Sequence, residues 1–270
     1  MLVKENKTYV IAEIGINHNG DLNTAKKLID SAVESGVDAV KFQTYLTEKR
    51  APKGNQEIFD ILKKCELPFD AFGELKEHSD QYDVDFFSTP FDEESVDCLI
   101  DIGVKTHKVA SFDTVNHKLL RYISDKAETV VMSTGMSSIL EVREAYDILK
   151  ENIKDIVLLH CISSYPTTEE DANLNVIKRL QKEFPTCIIG QSDHTNGIQV
   201  PSIAVCSGAR VIEKHFKLDD DCVDAPVSID KNQMSAMISD FKKLNKMFGD
   251  GMMGLTESQK SAEIFRRHSK

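Results

Sequence analysis

Short apolar runs alternate along the chain with longer stretches in which apolar residues recur every three to four positions. Eight of the short runs read as strands: Tyr9–Gly15, Ala39–Thr44, Val84–Thr89, His107–Ser111, Thr129–Thr134, Ile156–Cys161, Cys187–Asp193 and Arg210–Phe216. Several are continuous (VIAEIG, AVKF, TVVM, DIVLL, CIIG), as expected of strands buried on both faces of a parallel sheet. Between them the 3.6-residue period predicts helices over Leu22–Ser35, Phe69–Tyr82, Glu93–Ile102, Ile139–Leu149 and Leu174–Phe184. In the first, Leu22, Ala25, Leu28, Ile29, Ala32 and Val33 share one face, and Lys26, Lys27, Asp30 and Glu34 take the other. Gly36 and Gly103 stand where a glycine would end the helix before them. The longest irregular piece, Leu46–Pro68, is long enough to be a functional loop or to hide a short helix.

Eight such units of ~30 residues predict a single-domain (β/α)8 TIM barrel. The barrel is expected over residues 1–250, with 251–270 as a polar, weakly patterned C-terminal tail. A doubly wound open sheet is the rival, but the first turn, GINHNG, lacks the GxGxxG pattern. The 270 residues, 41% hydrophobic and 29% charged, suit one core-forming domain of this kind. The longest apolar stretches are five or six residues, too short to span a membrane, and the N-terminus has no apolar leader. Six cysteines (65, 98, 161, 187, 206 and 222) form no CxxC pair and lie mostly in apolar runs, which predicts buried, reduced thiols in a cytoplasmic protein. A net charge of −11 argues against nucleic-acid and membrane partners and leaves small-molecule substrates. An anionic substrate would then need a local cluster of cations.

In a TIM barrel the site lies at the C-terminal ends of the strands, and every expected strand turns polar at that end. The first carries Glu13 and runs into Asn17 and His18; the second carries Lys41 and Gln43, two apart and so on one face. The third ends Ser88–Thr89, the fourth has Lys108 and Ser111 with Asp113 beyond, and the fifth ends Ser133–Thr134. The sixth ends at His160, followed by Ser163, Ser164 and Tyr165; the seventh ends Ser192–Asp193–His194; the eighth carries Glu213, Lys214 and His215. Eight strands turning polar at the same end have no explanation in core packing. Lys41 and Lys108, with hydroxyls at 89, 111, 133 and 192, would cradle a phosphate and a carboxylate. The same lysines could instead form a Schiff base, as in class I aldolases. His194 and His215 end adjacent strands; converging rings with open positions suit a divalent metal, or else serve as a hydrogen-bonded or general-acid pair. Glu13 and Glu213 could bind metal, act as bases or pair with the lysines.

The stretches IAEIGINHNG (11–20), VKFQTY (40–45), FFSTPFD (86–92), KVASFD (108–113), STGMS (133–137), LHCISSYPT (159–167), GQSDHT (190–195) and IEKHF (212–216) resemble the sialic acid (N-acetylneuraminate) synthase family, in family order and spacing. The resemblance implies a metal-dependent condensation of phosphoenolpyruvate with an N-acylated amino sugar, N-acetylmannosamine or a related hexose. The product would be a nonulosonic acid, with phosphate released by C–O cleavage. It makes His194 and His215 the Mn2+ or Mg2+ ligands. It places Lys41, Thr89, Lys108, Ser111, Ser133 and Ser192 against phosphoenolpyruvate. Glu13, Gln43, Tyr165 and Asp224 match positions near the metal or the sugar, with Glu13 the expected proton-transfer group. Asp113, expected among the catalytic residues with Glu13, Lys41 and Lys108, stands where the family usually has glutamate, and Ser163, expected to bind substrate, where asparagine is common. A small antifreeze-like domain usually follows the family's barrel after an Arg-Arg-Ser stretch. In a dimer that domain gives an arginine to the partner's sugar site. This sequence stops at Arg266–Arg267–His268–Ser269–Lys270, so a barrel without that domain is expected. Arg266 and Arg267 could then substitute in part, and barrel faces could still pair as a homodimer. A lysine Schiff-base aldolase and a non-catalytic ligand-binding barrel are the alternatives.

Overall fold

A computed structural model describes Val3, residues 7–249 and residues 251–267. All eight expected strands form: β1 (Tyr9–Gly15), β2 (Ala39–Thr44), β3 (Asp85–Pro90), β4 (Thr106–Val109), β5 (Thr129–Ser133), β6 (Asp155–Cys161), β7 (Ile188–Asp193) and β8 (Val211–His215). Each pairs in parallel with the next, and β8 returns to β1, so the sheet closes in chain order. With helices following the strands around the outside, this is the (β/α)8 TIM barrel, and the open-sheet rival falls.

The helix Leu22–Ser35 shows how local signals make the wall. The Asp21 side chain accepts from the Thr24 N–H at its start. Gly36 ends it at φ 89°, a left-handed conformation that a side chain would strain. The buried face, Ala25, Leu28, Ile29 and Ala32, lies beside the helices Phe69–Ser79 and Lys231–Phe248. The expected helices at 93, 139 and 174 are present within a residue or so of their predicted ends. The piece at 46–68 holds two helices, Thr47–Arg50 and Gln56–Cys65. Three helices lacked a prediction. His117–Ser124 and Gln199–Cys206 are only eight residues long, and the second contains Pro201. Lys231–Phe248 does carry a legible period in Met234, Met237, Ile238 and Phe241 and a capping box from Asp230 to Gln233.

The fourth strand is shorter than expected. It pairs with β3 through the single register Ser88↔His107 and ends at Val109, and Ser111–Asp113 turns into a 3-10 helix. Beyond Phe248 the chain forms an exposed 3-10 helix, Glu257–Phe265; His268, Ser269 and Lys270 of the terminal arginine stretch lie outside the described residues. The thiols are less buried than predicted: Cys65 and Cys161 are buried, while Cys206 is exposed. Among the described residues no helix is long and apolar enough to cross a membrane.

The period-two alternation of the strands separates two cores. Outward residues such as Ala12, Ile14, Val40, Phe42 and Val130 pack under the helices. Inward, Ile11, Phe87, Val131, Leu159 and Val211 are fully buried and plug the barrel. Toward the N-terminal ends of the strands, the Tyr9 hydroxyl donates to Asp85 across from β1 to β3. One layer nearer the C-terminal ends, the inward side chains become polar.

Candidate active site

That polar layer lines a cavity of about 270 Å³. Every strand contributes to it: Glu13 from β1, Lys41 and Gln43 from β2, Thr89 from β3, Lys108 from β4, Ser133 from β5, Cys161 from β6, Ser192 from β7, Glu213 and His215 from β8. Loop residues complete the rim, among them Arg50, Ser111, Tyr165, His194 and Asp224. Several members of the expected strand-end set face the other way, among them Ser88, hydrogen-bonded to Thr44, and Asp193. His160 Nε2 meets the Ala172 carbonyl at 2.7 Å, and Lys214 pairs with Asp193 at 2.6 Å on the outer face. Inward parity in β6 and β8 belongs to Cys161, Glu213 and His215.

The floor is an ionic network. Lys41 Nζ lies 2.9 Å from Glu13 Oε2 and 3.7 Å from Glu213 Oε2, and donates to Thr89 Oγ1 at 3.1 Å. Lys108 Nζ donates to Ser133 Oγ at 2.8 Å and to the Val109 carbonyl at 3.2 Å, and stands 3.7 Å from Glu213 Oε1. Ser192 Oγ donates to Glu213 Oε1 at 2.9 Å, and Gln43 Nε2 donates to Glu13 Oε1 at 2.9 Å. Of the roles left open for the two glutamates, pairing with the lysines is the one this geometry displays. Gly15, at φ +57°, lets the chain pass this pair. A Cβ there would sit 3.1 Å from Glu13 Oε1 and 3.2 Å from Gln43 Nε2.

Burial and charge pull the two lysines apart. Burial alone would push the Lys41 ammonium down, but Glu13 and Glu213 beside it hold it above the usual lysine value. Lys108 has no carboxylate as close as Glu13 is to Lys41, so burial, with Lys41 adding repulsion, outweighs Glu213 and holds it below that value. Burial would raise the Glu213 carboxyl; Lys108 and Lys41 together hold it below the usual carboxylate range.

At the rim the ring centroids of His194 and His215 are 5.3 Å apart, and the Tyr165 ring lies 4.1 Å from that of His194. His194 Nδ1 meets the Ile162 carbonyl at 2.8 Å, which fixes Nδ1 as the protonated nitrogen and leaves Nε2 a lone pair. Burial, with His215 adding to it, pushes the His194 ring down to about 3, so it is neutral. His215 Nδ1 lies 3.3 Å from Asp224 Oδ2, an ion-pair contact rather than an aligned hydrogen bond. Burial would lower the His215 ring, but Asp224 more than offsets it. Both rings thus turn Nδ1 to an oxygen, the arrangement in which imidazoles present Nε2 to a metal. Among the described residues no three His, Cys, Asp or Glu side chains converge as a ligand set, so a cation here would rest on two imidazoles and complete its shell with water or substrate.

Thr89, Ser111, Ser133, Ser192, Gln43 and Tyr165 all join the cavity, as does Asp224, expected from the family resemblance alone. Ser163 stands behind it, with Oγ 2.8 Å from Ser111 Oγ. Asp113 stays off the cavity wall: its carboxylate accepts from Asn116 Nδ2 at 3.0 Å, and burial raises it. Arg50 is the lining cation that sequence reasoning missed. It ends a helix of four residues inside the irregular piece, and only its place shortly after a strand end could have marked it. Its guanidinium packs 4.4 Å from the Tyr45 ring centre and 4.0 Å from that of Phe91.

The sequence matches the NeuB family over residues 28–253. It is 41% identical over 269 residues to an uncharacterized protein of Methanocaldococcus jannaschii, covering 98% of this chain and 79% of that one. It is 37% identical over 280 residues to the N,N'-diacetyllegionaminic acid synthase of Campylobacter jejuni, covering 97% and 84%. Its fold superposes with a TM-score of 0.93 on the N-acetylneuraminic acid (sialic acid) synthetase of Leptospira borgpetersenii in complex with citrate. That pair shares 36% identity over 98% of this chain and 93% of the other.

Proposed function

The chain belongs to the NeuB family, and from that premise we propose that it condenses phosphoenolpyruvate with an N-acylated amino sugar to give a nonulosonic acid and phosphate. The observation that carries this reading is the pair of buried ammonium groups, Lys41 and Lys108, set among the Thr89, Ser133 and Ser192 hydroxyls at the floor of one cavity, with Ser111 at its rim. Phosphoenolpyruvate, with a carboxylate and a phosphate, is matched to that floor. Lys41 and Lys108 supply charge, and Thr89, Ser111, Ser133 and Ser192 supply directed donors. Ser163 steadies Ser111 from behind. The acceptor then lies toward His194, His215, Tyr165 and Asp224.

In the proposed reaction C3 of phosphoenolpyruvate attacks the acceptor's carbonyl carbon and a new C–C bond forms. The carbonyl oxygen takes a proton and becomes a hydroxyl. Water adds to C2 with loss of a proton, and the C2–O bond breaks to release phosphate. Glu13, held between Lys41 and Gln43, is the proposed proton-transfer group. Held by the Nε2 atoms of His194 and His215, Mn2+ or Mg2+ would supply Lewis-acid polarisation of the acceptor's carbonyl. Tyr165, tilted against the His194 ring, borders that side of the cavity.

Phosphate release is the test, measured with Mn2+ added against N-acetylmannosamine and the precursors of legionaminic and pseudaminic acid. Release that requires one of these acceptors, with phosphate equal to the phosphoenolpyruvate consumed, supports the reading. A second reading draws on the lowered Lys108: an amine deprotonated more easily than usual suits a Schiff-base aldolase. Borohydride trapping of a pyruvate adduct on Lys108, with no phosphate released from phosphoenolpyruvate in the presence of any acceptor, would replace the first reading by the second.

A further inference from the structure

Arg50 is a cation for which the proposed reaction has no use. Tyr45 and Phe91, whose rings hold it, each follow the last residue of a strand, β2 and β3. The guanidinium therefore sits in the loop layer, above the ring of strand residues that carries Lys41 and Lys108. Both lysines touch a carboxylate. Among the described residues Arg50 makes no salt bridge, and its Nη1 is buried without a hydrogen-bond partner. Asp224, Glu13 and Asp113 face it only from further off. A guanidinium taken from water and left unpaired is unfavourable, and packing against two rings offsets only part of that. Its planar fork of donors is matched by an oxyanion, which it can hold through two hydrogen bonds at once.

We propose that Arg50 is a second anion-binding position at the mouth of this cavity, and that it takes a phosphate ester carried by the sugar acceptor at the end away from its reacting carbonyl. The inference rests on the condensing reading, in which the lysines below are filled by phosphoenolpyruvate and the acceptor lies nearer the mouth. It makes the acceptor a phosphorylated N-acyl amino sugar.

The test compares wild type, Arg50→Lys and Arg50→Met with N-acetylmannosamine and N-acetylmannosamine 6-phosphate, varying phosphoenolpyruvate separately. Wild type should have the lower KM for the phosphorylated sugar. Arg50→Met should raise that KM roughly 10- to 100-fold, the loss of one charge-assisted contact, without a matching rise for phosphoenolpyruvate. Arg50→Lys should recover part of it, which a merely misfolded site would not. A wild type indifferent to the phosphate, or an Arg50→Met variant whose KM rises for phosphoenolpyruvate instead, overturns the assignment. Calorimetric binding of N-acetylmannosamine 6-phosphate makes the same comparison without turnover. Binding that depends on Arg50, with no phosphate release, sinks the condensing reading alone. Absence of binding by wild type sinks this inference.

Discussion

Lys41 and Lys108 carry the same charge at the same depth, yet they should respond differently to substitution. Lys41 neutralises Glu13 at 2.9 Å and shares Glu213, so Lys41→Met strands buried carboxylates. The expected loss is about 3–5 kcal/mol of stability, read as a lower urea midpoint. Lys108 leans on Ser133 and keeps Glu213 at 3.7 Å. Lys108→Met should unfold less readily and instead raise the KM for phosphoenolpyruvate, by about 1.5–3 kcal/mol of lost binding. Equal midpoints for the two variants would show that the pairing around Lys41 holds nothing together. Both lysines were legible in the sequence because a strand end is a short, well-marked place. Parity was less legible: His160 and Lys214 share the polar strand ends but point outward, since a single step along a strand reverses its face. Arg50 was barely legible, marked by nothing but its place shortly after a strand end. Nothing in the run TEKRAP says which of its charges the Tyr45 and Phe91 rings will hold.

At the scale of elements, the ends of β7 and β8 are clasped from outside. Asp193 takes the Lys214 ammonium at 2.6 Å, the Gln191 amide at 3.1 Å and the Thr195 hydroxyl at 2.9 Å, and Lys214 also donates to the Thr195 carbonyl. Each partner of this fully buried pair adjoins an imidazole of the rim, Asp193 next to His194 and Lys214 next to His215. A buried ion pair is weak as a source of stability but strict about geometry. Lys214→Met alone should destabilise by about 3–5 kcal/mol, whereas Lys214→Met with Asp193→Leu should regain much of that loss. Turnover should stay low in both, because the strand ends carrying the rings lose their clasp. A double variant whose stability loss equals the sum of the single losses would show that the two side chains are not coupled. Helices were legible where a cap and an apolar face coincide, as at Asp21 to Gly36. Those of eight residues or fewer, such as His117–Ser124, offer too few turns for a period to emerge.

For the molecule as a whole, acid stability is set by histidines that burial keeps neutral. His18 accepts from the Gly20 N–H through Nδ1, and His107 has both ring nitrogens without a partner. Burial pushes each from 6.5 down to about 4. Above pH 6.5 neither the folded nor the unfolded chain protonates them, so they contribute no slope. As pH falls from 6.5 to 4 the unfolded chain binds these protons and the folded chain does not, and stability drops by up to about 3 kcal/mol for each. The urea midpoint should therefore be lower at pH 5 than at pH 7, and His107→Leu should flatten part of that difference. Identical midpoints at the two values would rule out this origin. The closed barrel itself was legible from eight repeats of one unit, but not how evenly it closes. The single register Ser88↔His107 joins β3 to β4, where the other neighbours share four or more. This seam is the most sparsely paired of the eight around the ring, and Thr89 and Lys108, both lining the cavity, stand on its two sides.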